Sequence, residues 1–352
     1  MKLNDVRKKI DNVDSELLTL LSERMLLSIR AGRLKKKIED RKREEEIVDN
    51  LKERKDNLIS YPFLETIYND ILQESKRLQS KNFRLAGFQG ERGAFGEVAC
   101  RLFDKSLVPV PCLEFSDVFD GITKGELDYG VVPIENSSEG AITAVSHLVT
   151  EKGLYIVGEV VLPVHHALLS LPDVSREEIR VVYSHPQALA QCRDFISKNR
   201  LEPRPFYDTA GAAAMIAREK PIWAAAVASR DCSNLYGLKV ISENIEDSKA
   251  NVTRFLVLSR ERIRVEGNKC TVMFSTRDKA GALSSVLGLF KEAGINLTMI
   301  ESIPSRDSTG KAKFLIDFNG NYGDKKTRTA LDKITAVTTG LKILGCYKRW
   351  SQ

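Results

Sequence analysis

A threonine and an arginine stand side by side at the mouth of an apolar run in "SKANVTRFLVLSR" (248–260). They are Thr253 and Arg254, with Phe255 directly behind them and Leu256, Val257 and Leu258 completing the run. A strand end with one solvated arginine is the plain reading, but the rest of the chain supplies company for the pair. "VVPIENSSEGAI" (131–142) ends a strand with Glu135, Asn136, Ser137 and Ser138, and "YSHPQALAQC" (183–192) ends another with Ser184, His185 and Gln187. "YDTAGAAAMIA" (207–217) offers Thr209 at a helix N-cap. In an open α/β sheet, ligands collect at the carboxyl ends of strands, and helix N-termini there favour an anion. "GERGAFGEVA" (90–99) puts small residues at a strand-to-helix turn, and it matches neither a dinucleotide nor a P-loop pattern.

A second set of polar groups lies near the start of the chain. Arg24 and Lys35 are eleven residues apart, so three helical turns bring them within about 20° of one stripe. Arg7 is turned about 100° from Arg24 and is better placed to reach a neighbouring helix, including one of a partner chain. Asp40 and Glu44 are i,i+4 neighbours, as are Ser75 and Gln79. Taken singly, each is an ordinary surface group. Their cations sit among apolar neighbours, and a guanidinium matches a carboxylate bidentately.

The elements that must position these groups differ along the chain. Residues 5 to about 38 show helical periodicity in Val6, Ile10, Val13, Leu17, Leu20, Leu21, Leu27, Ala31, Leu34 and Ile38. Such a helix is about 50 Å long. A second helix is expected from Arg43 to Leu58, broken at "SYPF" because Pro62 cannot continue it, and a third from Leu64 to Ser80. These helices cannot cover the long one, which predicts an intertwined dimer. From Phe83, short apolar strands alternate with helices: "FRLAGFQG", "DYGVVPIE", "GLYIVGEVVLPVHHALLSL", "IRVVYSH", "WAAAVAS" and "TRFLVLS". That is α/β organisation. After the polar linker 261–269 comes a βαββαβ pattern, with strands "CTVMFST", "NLTMIESI", "KAKFLIDF" and "LKILGCYK". It reads as a ferredoxin-like module.

Composition narrows the function classes. The 352 residues suffice for two or three domains. A net charge of +6 fits small anionic ligands as well as nucleic acid. The basic runs at 33–37 and 41–43 are interleaved with acidic residues and lack RNA-reading aromatics, so no nucleic-acid partner is expected. No apolar run reaches membrane-spanning length and the N-terminus lacks a signal-peptide core, so neither membrane nor export is expected. Cys100, Cys112, Cys192, Cys232, Cys270 and Cys346 form no Cys-x-x-Cys pair. They are expected as reduced thiols in a cytoplasmic protein, neither a disulfide frame nor a zinc site. Of His147, His165, His166 and His185, none has a metal-binding partner at helical spacing, and the adjacent pair points to opposite sides of a strand.

Three stretches resemble known families. "VRKKIDNVDSELLTLLSERMLLSIRAGRLKK", "DRKREEEIV" and "QESKRLQ" resemble the all-helical chorismate mutases over residues 1 to about 80. The resemblance assigns Arg7, Arg24, Lys35, Asp40, Glu44, Ser75 and Gln79 to the site. It implies that Arg7 and Arg24 clamp carboxylates, that Lys35 and Gln79 donate to the ether oxygen, and that Glu44 with Asp40 holds the substrate hydroxyl. Rearrangement of chorismate to prephenate is one pericyclic step that needs positioning and charge stabilisation, with no nucleophile. The middle stretches with "NVTRF" resemble prephenate dehydratase over about residues 84 to 262. This implies two α/β lobes around a cleft, like the periplasmic binding proteins, with residues from about 165 to 245 forming the second lobe. It puts Thr253, Arg254 and Phe255 in the cleft with Glu135, Asn136, Ser137, Ser184, His185, Gln187 and Thr209. Thr253 would act on the leaving hydroxyl, Arg254 would orient a carboxylate or structure the site, and Glu135 or His185 would tune the network.

"KAGALSSVLGLFKEAGINLTMIESIPSR" (279–306) resembles an ACT domain of the phenylalanine-sensing kind. "GALS", which is Gly281, Ala282, Leu283 and Ser284, and "ESIPSR", with Glu301 and Ser302, are the matching stretches. Asn296, Leu297 and Thr298 would face the effector across a dimer interface. Ile303 departs from the basic residue usual there. The expected domains are a helical mutase at 1–82, a dehydratase at 83–262 and an ACT domain at 268–352. The whole resembles the bifunctional chorismate mutase/prephenate dehydratase family of phenylalanine synthesis. That implies chorismate and prephenate as substrates, L-phenylalanine as effector, a homodimer or homotetramer, and no cofactor or metal. Two rivals stay open: a ligand-binding regulatory protein without dehydratase turnover, and an arogenate dehydratase. A purely structural dimerisation role stays open for the last module.

Overall fold

The computed structural model describes residues 2–35, 37–53, 58–263, 267–277, 279–304 and 312–351. Ser305 and Arg306 of the expected effector stretch, and part of the expected linker, lie outside the described residues. The chain divides into two compact units, residues 1–84 and 85–352.

The first unit is helical: α1 (Leu3–Leu34), α2 (Arg41–Lys52) and α3 (Tyr61–Gln79). Pro62 lies in the first turn of α3, where its missing N–H costs nothing, so it starts that helix as well as ending the reach of the one before. α1 and α2 each pack on α3. Little of the unit is sealed, and among its described residues Leu51 and Ser75 alone are buried. Leu3, Ile10, Val13, Leu17, Leu20, Leu27 and Leu34 of α1 remain more than half exposed. Their 3–4 spacing, completed by Val6, Arg24 and Ala31, is that of a helix-pairing seam.

The second unit opens with β1 (Leu85–Gln89), α4 (Phe95–Phe103), β2 (Val108–Cys112), α5 (Phe115–Lys124), β3 (Tyr129–Asn136), β4 (Gly140–Ala141), α6 (Thr143–Lys152) and β5 (Tyr155–Pro163). The chain then leaves this sheet for a second, made from β6 (Ala167–Ser170), β7 (Val181–Ser184), β8 (Glu202–Pro205), β9 (Ala224–Ala228) and β10 (Lys239–Ser242). Helices α7 (Pro186–Gln191), α8 (Arg193–Lys198), α9 (Thr209–Glu219) and α10 (Asp231–Tyr236) lie between its strands in sequence. The chain returns as β11 (Val252–Ser259), inserted antiparallel between β5 and β3. This is the two-lobed arrangement the sequence pointed to. One apolar cluster runs through both lobes, joining Phe88, Val131 and Phe255 to Leu169, Ala210 and Ala226.

The chain ends with β12 (Lys269–Ser275), α11 (Ala282–Glu292), β13 (Leu297–Pro304), β14 (Ala312–Asn319), α12 (Lys325–Val337), β15 (Thr339–Tyr347) and β16 (Arg349–Ser351). The order β13-β14-β12-β15 is the ferredoxin-like sheet expected from the βαββαβ pattern. β16 then pairs in parallel with β5, so the chain end becomes an outer strand of the first sheet. Trp350 packs edge-on against Phe103 of α4 at 4.8 Å.

The reading of all cysteines as reduced is corrected by Cys270 and Cys346. They form a disulfide between β12 and β15, with Cα atoms 4.1 Å apart. They are 76 residues apart in sequence but directly opposed across the ladder, a pairing that spacing along the chain does not reveal.

Candidate functional site

The helical unit gathers part of its expected site. Arg24 Nη1 donates to Ser75 Oγ at 2.8 Å, and Ser75 Oγ donates to the Ile71 carbonyl at 2.7 Å. Ser28, which sequence reasoning passed over, joins them at 3.2 Å, one helical turn from Arg24. Gln79 lies one turn beyond Ser75. A β-carbon at Gly32 would come within 2.9 Å of Gln79 Cγ, so this glycine is what lets α1 approach α3 here. Gln79 Oε1 is buried and unpaired among the described residues. A cavity of about 220 Å³, lined by Ile29, Gly32, Arg33, Gln79 and residues 80–83, opens beside it.

The expected stripe shared by Arg24 and Lys35 is corrected, because α1 ends at Leu34 and Lys35 stands beyond it. Lys35 instead pairs with Asp40 at 3.7 Å, and Asp40 caps α2 by accepting from the Arg43 N–H. Glu44 lies one turn on from Asp40, donating its N–H to the Asp40 carbonyl at 3.0 Å, and its carboxylate pairs with Lys76 at 3.0 Å. Arg7 is exposed and seventeen residues from Arg24, about 25 Å along the helix. It does not join the group within one chain.

In the second unit the carboxyl end of β3 meets the start of β11, and Asn136 is the register partner of Thr253. Asn136 Nδ2 donates to Thr253 Oγ1 at 2.9 Å and to Asn251 Oδ1 at 2.8 Å. Asn251 Nδ2 donates to Gln191 Oε1 at 3.0 Å, and the same oxygen lies 3.0 Å from His166 Nε2. A carbonyl oxygen can only accept, so His166 carries its proton on Nε2 in this arrangement. Burial holds the His166 pKa below its usual value despite the Gln191 bond, and Phe95 meets its ring edge-on at 5.7 Å. A polar chain thus runs from Thr253 across both lobes to a neutral imidazole. Asn251, Gln191 and His166 were not among the expected site residues. They lie on distant segments, and nothing in local spacing links them.

The second lobe also grips the turn after β1. Gly90 and Gly93 take positive φ, and a β-carbon would meet Asp208 Oδ2 at 2.9 Å or Cys232 Sγ at 2.8 Å. Ser229 Oγ donates to the Gly93 carbonyl at 2.8 Å, and Tyr207 donates to Glu91 at 2.9 Å. Thr209 is not the cap of α9. Asp208 is, accepting from Gly211 N–H at 2.8 Å. Burial raises the Asp208 pKa above its usual value. Ser184 spends its hydroxyl on the Val227 carbonyl, and His185 Nδ1 accepts from the Gln187 N–H to cap α7. Ser137 Oγ donates to the Ala250 carbonyl and accepts from Val252 N–H, closing the mouth of β11.

Thr253 and Arg254 are adjacent in β11 but do not share a face. Consecutive strand residues point to opposite faces. Arg254 is buried on the far face, where Nη1 donates to Glu159 at 2.9 Å and Asp317 at 2.6 Å, and Nε donates to Glu135 at 3.1 Å. Glu135 therefore serves Arg254, and neither it nor His185 bonds to Thr253 among the contacts described. Glu159, fully buried, also takes Lys269 at 2.6 Å and Arg349 at 2.9 Å. Burial pushes its pKa up, but Arg254 and Lys269 outweigh that and hold it below the usual carboxylate range.

On the C-terminal module, Gly281 takes φ +80 at the start of α11, with Ala282, Leu283 and Ser284 in its first turn. Asn296, Leu297, Thr298, Glu301 and Ser302 lie at or on the outer strand β13. Ile303 points inward and is buried. Glu301 accepts a hydrogen bond from Ser146 of α6, so one expected effector residue touches the first lobe.

Two α/β lobes with a polar chain between them, followed by a ferredoxin-like module and preceded by mutase-like helices, define a multidomain small-molecule protein. A chorismate mutase type II model matches residues 6–80, a prephenate dehydratase model 86–263, and an ACT domain model 271–335. A bifunctional chorismate mutase/prephenate dehydratase of Aquifex aeolicus is 35% identical over 359 residues, 99% of this chain and 98% of that one. Arogenate dehydratase/prephenate dehydratase 2 of Arabidopsis thaliana is 40% identical over 272 residues, 74% of this chain and 71% of that one. The prephenate dehydratase of Arthrobacter aurescens, solved in complex with L-Phe, superposes with a TM-score of 0.69 at 30% identity, covering 75% of this chain and 90% of that one. The chain belongs to the bifunctional chorismate mutase/prephenate dehydratase family.

Proposed function

We propose that this chain rearranges chorismate to prephenate in its helical unit and converts prephenate to phenylpyruvate in the two-lobed cleft, under feedback by L-phenylalanine. The observation that carries the reading is the Thr253 hydroxyl, held by Asn136 in the polar chain that runs between the two lobes. In the dehydratase step the bond to the ring carboxylate breaks and CO₂ leaves. Its electron pair enters the ring, the carbon–hydroxyl bond breaks, and a proton delivered to the departing oxygen makes water. In this reading Thr253 delivers that proton, and aromatisation drives the step. In the mutase step Arg24 and Lys35 supply positive charge, Gln79 donates to the ether oxygen, and Asp40, Glu44 and Ser75 fix the site. Arg7 reaches the site of a partner chain, and the exposed seam of α1 supports a homodimer or a larger homo-oligomer. The domain division is 1–82, 83–262 and 268–352, and the setting is cytoplasmic. Gly281 to Ser284 and the β13 residues bind the effector, as the L-Phe complex of the related dehydratase supports.

The test is a coupled assay of chorismate loss and phenylpyruvate formation, with and without phenylalanine, on wild type and Thr253→Ala. The expected result is two activities, the second inhibited by phenylalanine and lowered about 10²–10⁴-fold by the substitution while prephenate binding persists. Chorismate loss without phenylpyruvate would make the cleft a binding site. The Arabidopsis relative, named for both substrates, supports a parallel assay on arogenate. Faster turnover of arogenate than of prephenate would reverse the substrate assignment.

A further inference from the structure

We infer that Asp317 of the C-terminal module is a positioning residue for the dehydratase step, acting through Arg254 on Thr253, with β13 carrying the effector state to it. The inference rests on the functional reading above.

Thr253 and Arg254 share one stretch of backbone but face opposite ways, so whatever fixes Arg254 fixes the peptide that aims the Thr253 hydroxyl. Arg254 is gripped from the C-terminal module at two points. Nη1 meets Asp317 of β14 at 2.6 Å, and Nη2 lies 2.8 Å from Met299 Sδ of β13. Met299 and Asp317 are register partners, so both grips belong to one cross-strand pair. Asp317 is itself fixed by Thr271 Oγ1 at 2.6 Å and by Lys269 at 3.6 Å. The β13–β14 register slips between Leu297 and Met299, and the β11–β3 register slips between Arg254 and Phe255. Such irregularities re-aim side chains. A second route meets the same place. Glu301 of β13 is bonded to Ser146 of α6, the helix that follows the loop begun by Asn136, and Asn136 holds the Thr253 hydroxyl. A shift of β13 therefore reaches Thr253 from both faces of β11.

The test is Asp317→Asn in the full chain, which keeps the side-chain shape and removes the charge. The expected result is a dehydratase kcat down about tenfold with KM within about twofold. The phenylalanine concentration for half inhibition should rise about fivefold or more while calorimetric phenylalanine affinity stays within about twofold. The mutase rate should be unchanged, and Asp317→Glu should restore part of the loss. Ser146→Ala, a small change that is expected to fold, should raise the half-inhibition concentration in the same way. A purely structural Asp317 would lower the unfolding midpoint and leave kcat and inhibition within about twofold of wild type, which would overturn the assignment. If Asp317→Asn does not fold, unchanged inhibition in Ser146→Ala overturns it. Absence of wild-type dehydratase turnover would overturn the functional reading instead. Turnover without any phenylalanine response would overturn the part given to β13 and leave kcat of Asp317→Asn to decide the rest.

Discussion

Replacing Arg254 with methionine tests whether the far face of β11 is held by charge. The wild-type cluster contains Arg254, Lys269 and Arg349 against the buried Glu159 and Asp317, with half-exposed Glu135 at its edge. Methionine keeps most of the volume and removes one cation. Glu159 would retain Lys269 at 2.6 Å and Arg349 at 2.9 Å. Asp317 would lose its 2.6 Å partner and keep only Lys269 at 3.6 Å and the Thr271 hydroxyl. Removing one member of a buried ion pair costs about 3–5 kcal/mol, because the other is left uncompensated. For a unit of this size that is a fall of about 6–20 °C in unfolding midpoint. Both tryptophans, Trp223 and Trp350, lie in residues 85–352, so tryptophan fluorescence during urea unfolding reports on this unit. The pH dependence gives an independent check. Glu159 has a depressed folded pKa, so its contribution is present above its ordinary value of 4.5 and is lost as pH falls through the folded value. Without Arg254 that depression shrinks. The gap between wild type and variant is therefore widest near neutrality and closes as pH falls below 4.5. A loss under about 1 kcal/mol at neutral pH, or a gap that does not narrow on acidification, would refute the cluster's role.

Three further outcomes follow from the geometry. Gln79 presents an amide to its cavity, so the wild-type mutase should not require acid pH, whereas Gln79→Glu should lose rate about tenfold per pH unit once that carboxyl ionises; a matching steep loss in wild type above pH of about 6 would contradict the assignment. Leu17→Glu with Leu20→Glu should split the oligomer in sedimentation and abolish mutase turnover, whereas a shift within about 0.5 kcal/mol and unchanged mass would mean that α1 faces only water. The Cys270–Cys346 bond should show as an intact mass lighter than the reduced chain by a pair of hydrogens, and reduction should cost about 2–5 kcal/mol of stability; equal masses before and after reductant would exclude the bond.

How much was legible in the sequence depended on how local the signal was. The ferredoxin-like module was read nearly strand for strand, because its elements follow one another in simple order. The long helix was legible from its apolar spacing, though it stops at Leu34 and not near residue 38, which detaches Lys35 from it. β2 and β8 were missed because each carries two prolines, which sequence patterns count against a strand; both are outermost in their sheets, where a missing N–H is tolerated. β16 is three residues long and offers no period to read. The site shows the same limit. Asn136 and Thr253 were legible as strand-end polar residues, while Asn251, Gln191 and His166 converge only through tertiary structure. Arg254 is the instructive case. Alternation along a strand already separates residues 253 and 254, and the apolar run behind them concealed that the far face of this strand is also buried, under a charged cluster.

Burial also separates the two units of the chain. Residues 85–352 contain an apolar core that runs through both lobes, a further one in the second lobe and one in the C-terminal module. The helical unit has Leu51 as its sole buried aliphatic side chain among the described residues, while seven apolar residues of the α1 seam remain more than half exposed. Fully burying a leucine or valine is worth about 1.5–3 kcal/mol, so the seam holds most of the stabilisation open to this unit. Arg24 sits inside that seam and already reaches Ser75, whereas Arg7 stands about five turns away on the same helix. Pairing two such helices through the seam would therefore complete the core and bring a second arginine to the Arg24–Ser75 group in a single step. On this reasoning mutase turnover should fall with dilution below the dimer's dissociation constant.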